Sequence, residues 1–255
     1  MLTVEPFNIC YGDSSILHRF NHWDKRSINL KINEILDLKI GNDFSKVYEE
    51  YCNYCIANNI EYSMTRVSTD NKQAINFLQE KGFYGVEITY EVSCRVSKLQ
   101  NLYDKEVKNK SIAKNCNIED LCHLASQIFN HGRFTEDPNI GKTLGDKRYC
   151  KFSKDLYEGS FDKIFIFSKK ELIGFMFYDT KEKKTDLILG GMSQKYPHLA
   201  RVFWSKVFVK LPQDNIITAN ISGTNVGVMN LYSHFGFNFT KPRFGYHKKW
   251  RNNES

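Results

Sequence analysis

Two distant stretches of the sequence share one pattern and differ at a residue that can transfer a proton. "NKQAINFLQEKGF" begins at Asn71 and "NVGVMNLYSHFGF" at Asn225, and Gly-Phe follows at the same distance in both. Four residues before the glycine, the first copy has Leu78 and the second has Tyr232. A phenol with a pKa of about 10 can protonate a departing thiolate, whose thiol has a pKa of about 8.5. The sequence therefore predicts that only the second copy is catalytic, with Tyr232 as its acid; the alternative is that Tyr232 only packs.

A second set of reactive residues lies in "HGRFTEDPNI", which begins at His131. Arg133 suits a diphosphate, which a guanidinium binds in bidentate fashion, and Phe134 suits the face of a base or a sugar. The alternative is an ordinary surface arginine with the phenylalanine in the core. The base that would accept a proton from an amine is left open, and an ordered water is a further option. The candidates for that base, which we place in the substrate site, are His131, Glu136, Asp137 and Asp186.

Composition restricts the setting of this chemistry. The chain has 255 residues, a formal net charge of +7 and seven irregularly spaced cysteines. An odd number of cysteines argues against a disulfide framework and favours a reducing compartment, so we expect a cytoplasmic protein. We see no secretory leader and no run of the about 18 apolar residues that a membrane span needs. The basic balance favours anionic ligands, although a lysine-rich solvated surface accounts for most of the charge.

No metal site is expected. Cys52 and Cys55 have the CxxC spacing of zinc and redox sites, but the sequence has no second CxxC and no HxxxH that would complete such a site. They fall midway along a predicted helix that runs from Phe44 to Asn58. We interpret both as small buried hydrophobic residues.

The elements that must position these residues fall into two halves. We interpret the charged stretch Leu99–Asn115 as the junction and place the domains at residues 1–108 and 109–255. The first half ends in a strand, a helix and a strand, and the second half repeats this order, which predicts an α/β fold. The predicted elements are strands at Tyr62–Ser68 and Gly85–Cys94 around a helix from Asn71, a helix capped by Asn117, strands at Lys163–Ser168, Leu172–Tyr178 and Asp186–Met192, a helix over Ala200–Lys210, a strand at Asn215–Ile221, a helix capped by Asn225, and two short strands near Phe237 and at Gly245–Trp250.

The order of elements and "NVGVMNLYSHFGF" resemble the GCN5-related N-acetyltransferase (GNAT) superfamily. The stretch is similar to that family's N-x-x-A-x-x-x-Y-x-x-x-G-F helix, with Val228 at the Ala position and Tyr232 as the Tyr. "LIGFMFY" resembles the family's strand with a glycine in its middle, here Gly174. The resemblance implies a mixed central sheet flanked by helices, in a tandem whose N-terminal half is a truncated copy. It also implies acyl-CoA as co-substrate and no metal.

The loop that would hold the CoA pyrophosphate departs from the family pattern. The family uses Q/R-x-x-G-x-G/A before a helix, where backbone N–H groups bind phosphate. Here "LGGMSQKYPHLARV" places Ala200 and Val202 at the glycine positions, and a branched side chain hinders close backbone approach. The helix N-terminus still offers its dipole, to which His198 and Arg201 would add charge.

The adjacent glycines of "DLILGGM" are expected to form a bulge that presents N–H groups to the thioester carbonyl, with close packing as the alternative. Asn225 is first a helix cap, and the resemblance adds a contact with the pantetheine arm. The residues that we expect to bind CoA are Gly190, Gly191, Met192, His198, Leu199, Ala200, Arg201 and Asn225.

The tandem arrangement and "RFTEDP" resemble the dTDP-fucosamine N-acetyltransferase group, which acylates the amine of nucleotide-linked dideoxy sugars. The resemblance implies attack of a sugar amine on an acyl-CoA thioester, with acetyl or a larger acyl group. The alternatives are a GNAT enzyme acting on a protein, amino acid or antibiotic amine, and a non-catalytic acyl-CoA-binding module. The expected partners are the nucleotide sugar and acyl-CoA, without nucleic acid or membrane, and a homodimer is left open.

Overall fold

A computed structural model describes residues 5–103 and 110–250, which form two compact units. Unit 1 contains the described residues up to Ile88 together with those from Pro242 onward, and unit 2 contains Thr89–Lys241. The junction predicted at residues 108 and 109 involves the stretch 104–109, which lies outside the described residues. That boundary therefore stays a prediction.

Unit 1 is a mixed sheet against which helices pack. Its sheet is antiparallel from the first to the third strand and parallel between the third and fourth. Val47, Tyr51 and Leu78 of its helices pack against Ile35 and Val67 of its strands, which forms the core of this unit. The elements that begin in unit 1 are β1 (Phe7–Tyr11), β2 (Ser14–Phe20), α1 (His22–Ile28), β3 (Ile32–Lys39), α2 (Phe44–Ala57), β4 (Tyr62–Ser68), α3 (Lys72–Glu80) and β5 (Tyr84–Arg95).

Unit 2 buries both faces of its sheet. The remaining elements of the chain are β6 (Lys110–Ala113), α4 (Ile118–Ile128), α5 (Gly141–Glu158), β7 (Asp162–Ser168), β8 (Glu171–Lys181), β9 (Lys184–Met192), α6 (Ala200–Phe208), β10 (Ile216–Ser222), α7 (Val226–His234) and β11 (Asn238–Lys249). The strand order in unit 2 is β5-β10-β9-β8-β7-β6, with β9 and β10 parallel. Along β8, Ile173 and Met176 join the core of α6 and α7, whereas Phe175 and Phe177 join that of α4 and α5. This double coverage explains why β8 reads as a continuous apolar run.

The expected mixed α/β fold is confirmed, although several of its elements were not predicted and one prediction about its strands is wrong. The helix α5 was not predicted, because it is charged, has no side-chain cap and buries only Gly145, Ser153 and Leu156. The two short strands expected at the end of the chain are one strand, β11. Lys241 has a φ of 49° within β11, so the strand bends there without ending.

The repeated sequence pattern has one structural explanation in both units. The Asn71 side chain accepts a hydrogen bond from Ala74 N at 3.0 Å, and the Asn225 side chain accepts one from Val228 N at 3.1 Å. The two matching glycines, Gly82 and Gly236, have φ values of 79° and 80°, which L-residues rarely adopt. The pattern is therefore a helix with an asparagine N-cap and a glycine stop.

Each unit completes its sheet with a strand that follows the helix of the other copy. Residues 89–95 of β5, which follows α3, pair antiparallel with β10 in unit 2. Residues 243–249 of β11, which follows α7, pair antiparallel with β4 in unit 1. Unit 1 is consequently assembled from two separate segments of the chain, whereas unit 2 is continuous.

Cys55 lies in the core of unit 1, in agreement with its interpretation as a small buried hydrophobic residue, whereas Cys52 is half-buried against that core. Burial raises the pKa of its thiol to about 11, so the thiol stays protonated at neutral pH. Within residues 5–103 and 110–250, no cluster of three or more histidine, cysteine or acidic side chains could hold a metal ion. None of the described helices is both long and apolar enough to cross a membrane.

The buried His18 of β2 should make unit 1 sensitive to acid. Its side chain is fully buried beside Tyr51 and Tyr54, and burial lowers its pKa to about 4 from an ordinary 6.5. Because the unfolded chain takes up the proton first, the free energy of unfolding should fall by up to roughly 3 kcal/mol as the pH drops from about 6.5 to 4. Urea unfolding across this range should show a shallower pH dependence for His18→Phe than for the parent. The exposed His22→Phe is the matched control, and an equal pH dependence in parent and His18→Phe would contradict the prediction.

Candidate active site

The two parallel strands of unit 2 separate partway along their length. β9 and β10 pair only from Lys184 to Asp186 and from Ile216 to Thr218. Beyond these residues β9 remains paired to β8 as far as Met192, and β10 remains paired to β5 as far as Ser222. The facing edges of β9 and β10 therefore diverge into a gap, which we call the wedge. Among residues 5–103 and 110–250, no strand pairs with the backbone N–H and C=O groups along its sides, which are therefore available to a ligand.

The bulge in β9 lies earlier than the sequence analysis predicted. Leu187 is opposite Tyr178 and Leu189 is opposite Phe177, so the intervening Ile188 is the extra residue. The prediction of a bulge at Gly190 and Gly191 is wrong, and the alternative of close packing describes both glycines. A Cβ on Gly190 would stand 2.4 Å from Met176 Cε, and one on Gly191 would stand 2.4 Å from Ile128 Cδ1. The residue after these glycines, Met192, ends β9 half-buried.

The loop between α4 and α5 joins the far ends of β9 and β10. At its start, the Phe129 ring lies 3.5 Å from the Cβ position of Gly191 and stacks on Tyr149, with ring centroids 4.4 Å apart. The Tyr149 hydroxyl donates a hydrogen bond to the His131 carbonyl at 3.3 Å. His131 Nδ1 in turn lies 3.2 Å from the hydroxyl oxygen of Thr224, two residues beyond β10. The loop thus spans the open end of the wedge.

A polar cluster forms where this loop meets the end of β10. The Thr224 hydroxyl donates to Glu136 Oε1 at 2.5 Å, and the Gly132 backbone N–H donates to Glu136 Oε2 at 3.0 Å. His131 Nδ1 is 3.4 Å from Glu136 Oε1, and the Ser222 hydroxyl is 2.8 Å from that of Thr224. The imidazole and the carboxylate retain 39% and 21% of their side-chain exposure, so solvent and ligands reach them. His131 and Glu136 are therefore brought together, with Nε2 of the imidazole directed away from these contacts.

Ser222 and Thr224 were not among the predicted site residues. Both lie in "ISGTN", between a strand and the N-cap of α7, where small polar residues are expected in any turn. The only signal in the sequence is their position just before the repeated helix. The contact of Thr224 with Glu136, 88 positions earlier, depends on the tertiary fold.

The other predicted residues of the loop serve its structure. Asp137 is fully buried, and its carboxylate accepts a hydrogen bond from Asn139 N at 2.7 Å. Phe134 is buried as well, with the Arg148 guanidinium 4.1 Å and the Arg133 guanidinium 5.4 Å from its ring centroid. The core position that was the alternative for Phe134 is thus the observed one, whereas Arg133 remains half-buried at the surface.

Asp186 lies at the closed end of the wedge. It is paired with Thr218, whose hydroxyl donates to its carboxylate, and Lys184 Nζ lies 2.7 Å from the same oxygen. The strands diverge only beyond this pair. Asp186 is therefore separated along β9 from the polar cluster at the open end.

The loop before α6 reaches its helix without left-handed residues. No residue between Met192 and Val202 has a positive φ, so alanine and valine fit positions where the family has glycine. Ala200 begins α6 and Val202 lies inside it, away from the preceding loop. His198 and Arg201 are exposed at this helix N-terminus, whereas Leu199 is buried in the core. The residues present thus fit an anionic ligand at this helix end, through its dipole and two basic side chains.

Tyr232 is buried between α7 and α6. Its hydroxyl accepts a hydrogen bond from Trp204 Nε1 at 3.5 Å, and its side chain is packed in the core. Burial raises the pKa of Tyr232 to about 12, so the hydroxyl holds its proton at neutral pH and is a weaker acid than an exposed tyrosine. Its role as an acid stays a prediction. Asn225 is the N-cap of the same helix, as expected.

Solved structures similar to this chain share one fold. A GCN5-related N-acetyltransferase from Sphaerobacter thermophilus matches with a TM-score of 0.62 at 9% identity, over 94% of this chain and 78% of that one. A tandem GNAT protein from the clavulanic acid biosynthesis pathway matches with a TM-score of 0.61 at 6% identity, over 94% and 80%. A functionally unknown conserved protein from Staphylococcus epidermidis matches with a TM-score of 0.67 at 10% identity, over 97% and 96%. The sequence matches no protein-family model and no curated protein.

Proposed function

From the GNAT fold of this chain, we propose that it is an acyl-CoA-dependent N-acyltransferase whose catalytic half is unit 2. The observation that carries the proposal is the wedge between β9 and β10, closed at Asp186 and open toward the cluster of His131, Glu136 and Thr224. Unpaired backbone N–H groups in such a gap can bind amide and carbonyl oxygens of an extended ligand. The basic and acidic side chains at its open end can then act on an incoming amine.

Acyl-CoA would supply the activated acyl group as a thioester. On this chain, the edge of β9 beyond Ile188 would bind its carbonyl and amide groups. The N-terminus of α6, with His198 and Arg201, would bind its phosphates. Burial lowers the pKa of His234, and the positive charge of the nearby Arg201 lowers it further.

The amine must lose a proton as it attacks the thioester carbonyl carbon, and we assign His131 as the general base that accepts this proton. Its Nδ1 faces Glu136 and Thr224, which leaves Nε2 as the nitrogen that accepts the proton. Glu136 fixes this tautomer by accepting a hydrogen bond from Nδ1–H. Its own position is held by Thr224 and the Gly132 N–H, so Glu136 is a positioning residue.

The departing thiolate needs a proton, and we assign Tyr232 as its donor. Tyr232 is protonated at neutral pH, which is the form that a general acid requires. The matching residue of the first copy, Leu78, is 1% exposed in the core of unit 1 and has no proton to give. This contrast supports catalysis in unit 2 alone.

For the acceptor we propose a nucleotide-linked amino-dideoxy sugar. Arg133 stands two residues from His131 at the half-buried surface of the loop, and a guanidinium there can bind a diphosphate in bidentate fashion. The sugar amine would then lie within reach of the base on the same loop. The formal net charge of +7 is compatible with two anionic substrates.

The test compares a dTDP-amino-dideoxyhexose with the free amino sugar, a peptide amine and a polyamine, each with acetyl-CoA and a larger acyl-CoA. We expect kcat/KM to be much higher for the nucleotide-linked sugar than for the free amino sugar. Arg133→Ala should reduce this ratio roughly 10- to 100-fold, because the variant loses a charged contact with the diphosphate. Lys142→Ala, which removes an exposed charge on α5, is the matched control. Higher kcat/KM with the free sugar, peptide or polyamine would reject the sugar nucleotide, and no turnover of any amine would reject the enzyme.

A further inference from the structure

Unit 1 contains its own gap between diverging parallel strands. β3 and β4 pair only from Ile32 to Ile35 and from Tyr62 to Thr65, although β3 continues to Lys39 and β4 to Ser68. In β3 the extra residue, Leu36, directly follows the last residue paired with β4, whereas in β9 the extra residue, Ile188, stands two positions beyond Asp186. The truncated copy thus retains the strand geometry of the wedge without the tyrosine.

This gap in unit 1 is an open groove of about 210 Å³, which we call the unit 1 groove. It is lined by strand residues 36–38 and 65–68, by Asn71 at the start of α3 and by Arg243 of β11. Ligand pockets for drug-sized molecules measure roughly 300–1,000 Å³, so a CoA or a sugar nucleotide exceeds this space. The groove therefore fits a small molecule.

Two side chains of opposite charge, Asp37 and Arg243, line the unit 1 groove. Asp37 and Arg243 are both exposed, and neither side chain has an ion-pair or hydrogen-bonding partner among residues 5–103 and 110–250. They are not paired with each other although they line the same groove. The remaining charged residue, Arg66, is already paired with Glu87, with its Nε 2.8 Å from Glu87 Oε1.

We propose that the unit 1 groove binds an α-amino acid. Its carboxylate would pair with Arg243 and its ammonium group with Asp37, because the two charges that line the groove match the two ends of a zwitterion. The unpaired backbone edges of β3 and β4 offer further donors and acceptors between these charges. Since Leu78 replaces the tyrosine, the groove binds its ligand without acylating it.

The experiment measures the melting temperature of the whole chain with each standard amino acid at millimolar concentration and without acyl-CoA. Simple carboxylates without an amine and simple amines without a carboxylate are the ligand controls. We expect at least one amino acid to raise the melting temperature, because it binds the native state. We expect calorimetry to show binding weakened roughly tenfold or more in both Arg243→Gln and Asp37→Asn. Lys249→Gln, which removes an exposed charge elsewhere on β11, should bind like the parent.

Three results would overturn the proposal. The first is that no amino acid binds the parent. The second is that carboxylates alone bind as tightly as amino acids, which would make the groove an anion site. The third is that both variants bind the amino acid as the parent does, which would place the ligand elsewhere. Both variants change exposed side chains, so circular dichroism should show an unchanged fold.

Discussion

Replacing Tyr232 with phenylalanine should lower the turnover number about 10²-fold and leave the affinity for acyl-CoA nearly unchanged. A positioned acid contributes roughly 10²- to 10⁴-fold. We expect the lower end of this range because burial raises the pKa of Tyr232 to about 12, which makes proton transfer to a thiolate less favourable. Single-turnover kinetics with the proposed amine substrate would measure the chemical step directly.

Trp204→Phe separates this role from a structural one. Trp204 Nε1 donates to the Tyr232 hydroxyl, so Tyr232→Phe also leaves a buried N–H without its acceptor, at a cost of about 1–3 kcal/mol in stability. Trp204→Phe breaks the same hydrogen bond and keeps the hydroxyl. It should retain most of the turnover. Equal losses in the two variants, or an unchanged chemical step in Tyr232→Phe, would remove Tyr232 from the mechanism.

Replacing His131 with glutamine should lower kcat/KM roughly 10²- to 10⁴-fold at neutral pH, because the amine loses its general base. The defect should shrink as the pH rises, since an increasing fraction of the amine is then uncharged before it binds. A pH profile of kcat/KM for parent and variant would measure both effects. Glu136→Gln should give a smaller loss, because it disturbs the tautomer of His131 and leaves the base in place.

His123→Gln is the matched control for this prediction. His123 is an exposed histidine of α4 in the same unit, and its ring Nε2 lies 3.0 Å from the side-chain nitrogen of Gln127. This variant should act like the parent at every pH. A His131→Gln defect that stays constant with pH would indicate a structural role, and an unaltered kcat/KM would assign the proton to another acceptor.

Elements with local signals could be predicted from the sequence. Asn71 and Asn225 each precede an apolar-periodic run and fix the start of a helix through one side-chain hydrogen bond. Apolar and aromatic runs likewise indicated β7, β8 and β9. The helix α5 gave no such signal, since it begins at Gly141 without a side-chain cap and is stabilised by packing against α4. Its existence depends on tertiary contacts that a local pattern does not encode.

The candidate site was predictable in its residue types and not in its geometry. His131 and Glu136 were recognised as candidate bases, but the sequence left them equal to Asp137 and Asp186. Asp137 is buried and accepts a hydrogen bond within a local turn. The carboxylate of Asp186 is bound by Thr218 and Lys184. Only the structure therefore distinguishes the four candidates. The contact of Thr224 with Glu136 joins distant parts of the chain, which no motif spacing records.

The exchanged strands impose an order on synthesis. Residues 89–241 contain all of unit 2, so this unit can fold as soon as they have left the ribosome. Unit 1 is translated first, yet β4 obtains its β11 partner only when residues 243–249 emerge. At a synthesis rate of about 5–20 residues per second, the edge of β4 that pairs with β11 stays open for on the order of ten to thirty seconds. A nascent chain paused within unit 2 therefore presents an open strand edge, which is the kind of surface that chaperones must shield from neighbouring polypeptides.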